Sequence, residues 1–116
     1  MPNQLLPIII YQNKKWQFWS RWGVHYNSDL EQVERVTIEV GKEVMQRVKG
    51  GVPEFEPFIR YHTFDDFSIN FTVILRAQEF VDNYLVKHEF IKALHKRYKQ
   101  EGIEIPFPIR TIYQGK

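Results

Sequence analysis

Four histidines, two adjacent aspartates, two glutamates between prolines, a run of cations and a group of tryptophans are the residues of this chain that could do chemistry. His25, His62, His88 and His95 suggest a metal first. His88 and His95 are seven residues apart, so on a helix they share a face but sit about two turns from each other. One ion cannot bridge that gap unless the side chains fold together, and no His-Glu-x-x-His pairing exists. Cysteine is absent, which removes disulfides, thiolate nucleophiles and Cys-ligated metals together. No metal and no cofactor are therefore expected. Asp65-Asp66 could be a catalytic carboxylate pair, but adjacent aspartates between two extended runs are the material of a tight turn. Glu54 and Glu56, flanked by Pro53 and Pro57, read as charges on a loop surface. Gly50-Gly51-Val52-Pro53 is glycine-rich, as an anion-cradling loop of a small acyl-phosphate hydrolase would be. Pro53 contributes no N–H to such a cradle, and no catalytic residue is assigned.

Two groups could hold larger anionic partners. Lys87, Lys92, Lys96, Arg97 and Lys99 could meet anionic lipid or RNA, yet Glu89 and Glu101 stand among them, as on a solvated helix face. Trp16, Phe18, Trp19 and Trp22 could stack bases. Their near-regular alternation also suits a strand with one buried face, and core packing is the expected role.

The elements that must position these residues come from periodicity. The chain of 116 residues is 43% hydrophobic and 26% charged, enough for one core under a charged surface and too apolar for a disordered chain. A net charge of +2 is too small to imply nucleic acid or an anionic membrane as partner. The longest apolar runs, Ile8-Ile9-Ile10-Tyr11 and Val73-Ile74-Leu75, fall far short of the roughly 20 residues of a membrane helix. Met1-Pro2-Asn3-Gln4 has neither the positive nor the apolar region of a secretory signal.

From Trp16 to Tyr26 the apolar residues alternate, with Lys15, Gln17, Arg21 and His25 opposite and Trp19 the exception, which predicts a strand. Ser28-Asp29-Leu30-Glu31 has the spacing of a capping box with Ser28 as the cap. Leu30, Val33, Thr37, Val40, Val44 and Val48 follow as one helical stripe, ended by Gly50-Gly51. Phe58 to Phe64 and Phe67 to Ala77 are the next strands, separated by the Asp65-Asp66 turn. Asp82 or Asn83 is expected to cap a second helix running to about Glu101, with Tyr84, Leu85, His88, Ile91, Leu94, His95 and Tyr98 as its apolar stripe. Gly102 stops it. Ile103-Glu104-Ile105 reads as a short strand and Ile109 to Tyr113 as one more extended piece. From Trp16 the order is β-α-β-β-α-β, the α+β, ferredoxin-like pattern with two helices on one face of an antiparallel sheet and an extra C-terminal strand. RNA-recognition domains share that pattern, but they carry a cation and glycines in a strand that here reads Phe67-Ser68-Ile69-Asn70-Phe71-Thr72-Val73. An RNA-binding module is the alternative reading.

A resemblance points elsewhere. Val24-His25-Tyr26-Asn27-Ser28-Asp29-Leu30-Glu31 resembles the V-x-Y-x-[ST]-D-L-E entry to the first helix of the C-terminal α/β domain in small-conductance mechanosensitive channels. The run from Glu101 to Tyr113 resembles that family's ending, E-G-I-E-I-P-F-P-x-R-x-[VI]-[YH], and Pro2-Asn3 resembles the end of its preceding β domain. The resemblance implies a cytoplasmic vestibule built from identical subunits, a homo-heptamer, below a pore in the cell (inner) membrane. It implies that residues 1–14 are a remnant of the β domain or linker, 15–105 the ferredoxin-like body, and 106–116 an oligomerisation strand with Phe107, Ile109, Arg110, Thr111, Ile112 and Tyr113. Glu54 and Glu56 would then lie on a loop beside a side opening and bias ion passage. With no membrane span in this stretch, the chain is expected to be soluble and not to conduct alone. It is expected to be no enzyme, with no small-molecule substrate and no nucleic acid partner.

Overall fold

The computed structural model describes residues 16–106. Five elements follow one another: β1 (Trp16–Val24), α1 (Leu30–Arg47), β2 (Phe58–Phe64), β3 (Ile69–Ala77) and α2 (Asp82–Glu101). The sheet has the order β1-β3-β2, with β3 antiparallel to both neighbours. Its register runs from Trp16 opposite Ala77 to Val24 opposite Ile69 on one side. On the other it runs from Phe58 opposite Ile74 to Phe64 opposite Ile69, with a bulge between Tyr61 and Thr63.

β3 is central because its alternation is the cleanest: Ile69, Phe71, Val73, Leu75 and Ala77 are all buried. They form one core with Phe18 and Val24 of β1, Ile59 of β2, Val33, Val36, Val40, Val44 and Met45 of α1, and Val86, Phe90, Leu94 and Tyr98 of α2. Both helices therefore cover the same face of the sheet, and the fold is α+β as predicted. Fully burying each large apolar side chain contributes roughly 1.5–3 kcal/mol, so this shared face is what holds the layers together.

Several boundaries differ from the sequence reading. The cap of α1 is Asp29, one residue after Ser28. Asp29 is extended (φ −78°, ψ 106°) and its carboxylate accepts from the N–H groups of Glu31 and Gln32, at 3.1 and 3.3 Å. A carboxylate there meets both the free N–H groups and the positive end of the helix, which a serine hydroxyl does only in part. α1 ends at Arg47 rather than at the glycines. Gly50 is still needed, at φ +94°, and Gly51 passes so close to α1 that a Cβ would lie 2.5 Å from the Met45 carbonyl oxygen.

The stripe predicted for α2 is the larger correction. The buried positions are Asn83, Val86, Phe90, Leu94 and Tyr98, and only the last two belong to the predicted set. Tyr84 (62%), Leu85 and Ile91 (44%) are exposed, as are His88 and His95. α2 is apolar on two faces, and the sheet takes the one whose steps of four line up Val86, Phe90, Leu94 and Tyr98. Its start has no side-chain cap. Val81 precedes it in helical conformation, while the Asp82 carboxylate accepts from the Glu79 N–H at 3.1 Å.

Ile103-Glu104-Ile105 forms no strand. Gly102 takes a left-handed conformation (φ 76°) and turns the chain back. Ile103 is buried, and the Glu104 carbonyl accepts from the His25 N–H at 3.0 Å beyond the end of β1. Pro106, with no N–H to donate, follows two residues later. A single hydrogen bond thus stands where the fourth strand of the ferredoxin-like order would pair.

Candidate functional surface

The helices cover one face of the sheet, which among the described residues leaves the other open. Strand alternation places Gln17, Trp19, Arg21 and Gly23 of β1 on that outer face, with Asn70, Thr72, Ile74 and Arg76 of β3 and Phe58 and Arg60 of β2. The bulge adds His62, whose Nε2 lies 3.0 Å from the Thr72 hydroxyl. Register groups these side chains into rows across the strands. Arg21, Thr72 and Arg60 form one row, and Trp19, Ile74 and Phe58 the next. Gln17 and Arg76 make the last, joined by a hydrogen bond of 3.3 Å. Trp19 is 60% exposed. The Arg60 guanidinium lies over the Phe58 ring, 4.7 Å from its centroid, and Arg76 over Phe55 at 4.2 Å. Near the hairpin end a depression of about 440 Å³ is lined by residues that include Arg21, Gly23, His62, Thr63 and Asn70. Gly23 keeps it open, since a Cβ there would meet Asn70 Oδ1 at 2.6 Å.

The opposite side of the domain is chemically different. α1 and α2 are tied by the ion pairs of Arg97 with Glu39 at 2.6 Å and of Arg47 with Glu89 at 3.6 Å, while Arg97 also pairs with Glu101 of its own helix at 3.0 Å. Gln32 Nε2 donates to the Glu101 carboxylate at 3.3 Å. The hydrogen bond from Arg97, and then that from Gln32, holds the Glu101 carboxyl below the usual glutamate range, while Glu101 and Glu39 raise the pKa of Arg97 further. Deeper in, the hydroxyls of Thr37 and Tyr98 share a short hydrogen bond inside the core, and burial pushes the Tyr98 phenol well above the ordinary tyrosine value. The Tyr61 hydroxyl donates to the Leu30 carbonyl at 2.6 Å. Its burial, together with Glu34 and Asp29, pushes its pKa up to about 12. Neither phenol is poised for proton transfer near neutral pH.

The residues singled out from sequence fall as follows. Glu54 and Glu56 are exposed on the loop between α1 and β2, and Glu56 pairs with Lys42 at 3.2 Å. Phe107, Ile109, Arg110, Thr111, Ile112 and Tyr113 lie outside the described residues. The four histidines are not brought together, and among the described residues no group of three or more His, Asp or Glu could hold a metal. Asp65 makes the expected turn, its carboxylate accepting from the Asp66 N–H and from Asn70, and its N–H donating to the Ser68 carbonyl. Of the aromatic group, Phe18 is buried, Trp22 packs edge-on against Phe90 and Tyr98, and Trp16 meets Phe80, while Trp19 stands out. Of the basic cluster, Arg97 and Lys92 are paired with acids on the helices. Sequence reasoning missed Arg60 and Arg76 as companions of Arg21. Their even spacing against the buried residues of each strand was the available signal.

Comparison with known proteins adds a family. The family model of the C-terminal part of the mechanosensitive ion channel MscS matches residues 21–105. The chain is 29% identical over 100 residues to the small-conductance mechanosensitive channel MscMJ of Methanocaldococcus jannaschii, covering 81% of this chain and 27% of that protein. It is 29% identical over 91 residues to an uncharacterized MscS family protein of Archaeoglobus fulgidus, covering 78% of this chain and 30% of that one. The fold is similar to that of Helicobacter pylori MscS in its closed state, with TM-score 0.58 and 28% identity over 82% of this chain and 37% of that one. The chain thus spans well under half the length of these relatives. None of them supports the RNA-binding reading.

Proposed function

Since the chain belongs to the MscS family of mechanosensitive ion channels through its C-terminal domain, we propose that it serves as an assembly module of a tension-gated channel, one of several identical copies that wall a cytoplasmic vestibule below a membrane pore. The observation that carries this reading is the coincidence of the matched residues 21–105 with the folded body that begins at β1 and closes just after α2. No helix among the described residues is long and apolar enough to cross a membrane, so tension sensing and conduction would belong to other parts of the parent protein in the cell membrane.

In this reading residues 1–14 are the end of a preceding β domain, 15–105 the wall module and 106–116 the assembly strand. Phe107, Ile109, Arg110, Thr111, Ile112 and Tyr113 would pair with their equivalents in neighbouring copies of a homo-heptamer, since a strand in a closed barrel needs partners that one chain does not supply. Glu54 and Glu56 would place negative charge at a side opening. No residue carries a catalytic role and no cofactor is required. The test is light scattering on a longer chain that restores the upstream β domain. A ring-sized oligomer is expected, reduced to smaller species by Ile109→Asp with Ile112→Asp. A strict monomer over a wide concentration range would refute the reading.

A further inference from the structure

We propose that the outer face of the sheet docks an acidic, extended segment of another protein chain, with carboxylates on either side of an apolar residue. The first observation is a segregation of charge. The helical arginines Arg35, Arg47 and Arg97 each have a carboxylate within 4.0 Å. The sheet arginines Arg21, Arg60 and Arg76 have none among the described residues, although the chain carries 14 acidic side chains against 16 basic ones. Three guanidiniums without a carboxylate share one flat face. Among the described residues Arg60 donates only to the Ile59 carbonyl at 2.7 Å and Arg76 only to Gln17 at 3.3 Å. That leaves N–H donors for planar anions, which guanidiniums bind in bidentate fashion.

The second observation is composition. The outer face combines Trp19, Ile74 and Phe58 with those arginines and carries no Lys, Asp or Glu on its strands. Enrichment in aromatic residues and Arg with depletion of Lys and acids marks the centre of protein interfaces. Nucleic acid fits less well, because the Phe58 and Phe55 rings are already covered by Arg60 and Arg76. Trp19 alone would be left to stack a base. A lipid surface would draw on the lysines of α2, which sit in the helical layer on the other side of the sheet. The helical layer of a second copy also fits poorly, since Glu39, Glu89 and Glu101 are engaged with their own cations.

The third observation is spacing. The Arg21–Arg60 row, the Trp19–Ile74–Phe58 row and the Arg76 row succeed one another every second residue, a step of roughly 6.7 Å. Side chains on one face of an extended segment repeat at the same interval. The pattern Glu-x-Leu-x-Glu therefore sets one carboxylate at Arg21 and Arg60, the leucine on the apolar row and the other carboxylate at Arg76. The depression beside Gly23 gives the first carboxylate room.

Fluorescence anisotropy with a labelled peptide of two Glu-Ser-Leu-Ser-Glu repeats tests this on the full chain. Saturable, salt-weakened binding is expected, reduced roughly tenfold or more by Arg21→Glu with Arg60→Glu and reduced also by Trp19→Ala. Lys92→Glu with Lys96→Glu should leave it unchanged, and thermal melts of each variant establish folding. No saturable binding at low salt, equal binding by the arginine double variant, or equal or tighter binding of oligouridylate or phosphatidylserine vesicles would each overturn the proposal. Its failure is separable from failure of the assembly reading: light scattering on the longer chain reports the ring without the peptide, and the anisotropy reports the peptide without the ring.

Discussion

Thr37 and Tyr98 are 61 positions apart, and their hydroxyls satisfy each other inside an apolar core. Both are buried, so removing one partner leaves the other without water or a substitute. An unsatisfied buried polar group costs about 1–3 kcal/mol, whereas replacing both partners by apolar groups is far milder. Thr37→Val is therefore expected to lose about 1–3 kcal/mol in urea unfolding, and Thr37→Val with Tyr98→Phe to lose less than the sum of the two single changes. Each residue was legible as a member of an apolar stripe. That they meet was not, because no local pattern ties two hydroxyls on different helices. Glu101 makes a pH prediction at the same scale. Its folded pKa is lowered by Arg97 and Gln32. The stability it contributes is present above the ordinary glutamate value of about 4.3 and is lost as pH falls through its lower folded value. Urea midpoints measured from pH 6 down to pH 3 should therefore decline less steeply in Glu101→Gln than in the parent chain. An unchanged slope would mean that the ion pair is not formed in solution.

At the scale of the element, the first helix divides the capping roles of two neighbours. Asp29→Ala should cost about 1 kcal/mol, while Ser28→Ala should stay within about 0.5 kcal/mol, since the contacts to Glu31 and Gln32 belong to Asp29. Sequence spacing favoured Ser28 because Ser-x-x-Glu matches the capping box, but Asp29-x-x-Gln32 fits the same template one residue on. The second helix makes a sharper case. Phe90→Ala should cost about 3–5 kcal/mol, and Ile91→Ala less than about 1 kcal/mol. Denaturant midpoints of the two variants decide which face is buried. The strands of this domain announce their inner face by alternation, and β3 did so from Ile69 to Ala77, although Phe67, expected to open the strand, lies in the turn before it. α2 has apolar residues on two faces, so periodicity alone does not choose between them. Only the groove that the sheet and α1 leave open does.

For the whole molecule, the layer arrangement follows from the order of periodic segments, and two helices over one sheet face was the arrangement expected. What was not legible is the residue-level chemistry of the uncovered face, because residues there look like ordinary polar alternates in each strand taken singly. Arg21, Arg60 and Arg76 become a group only after the order β1-β3-β2 brings three strands together. The residues proposed for assembly, Phe107 and Ile109 to Tyr113, had the reverse history. They stand out as a motif in the chain and lie outside the described residues.

The single hydrogen bond that stands in for a fourth strand bears on how the sheet breathes. β1 pairs with β3 along its whole length, while among the described residues its other edge meets only Glu104, at His25. Every second amide of that nine-residue strand consequently points away from the ladder. In deuterated water these amides should exchange within the time needed to record a spectrum, while those of β3, bonded on both sides, should persist until the domain opens as a unit. Joining a larger assembly that seals the edge would slow the fast set alone. Exchange along β1 would thus act as an internal clock that reads whether this edge is open or sealed.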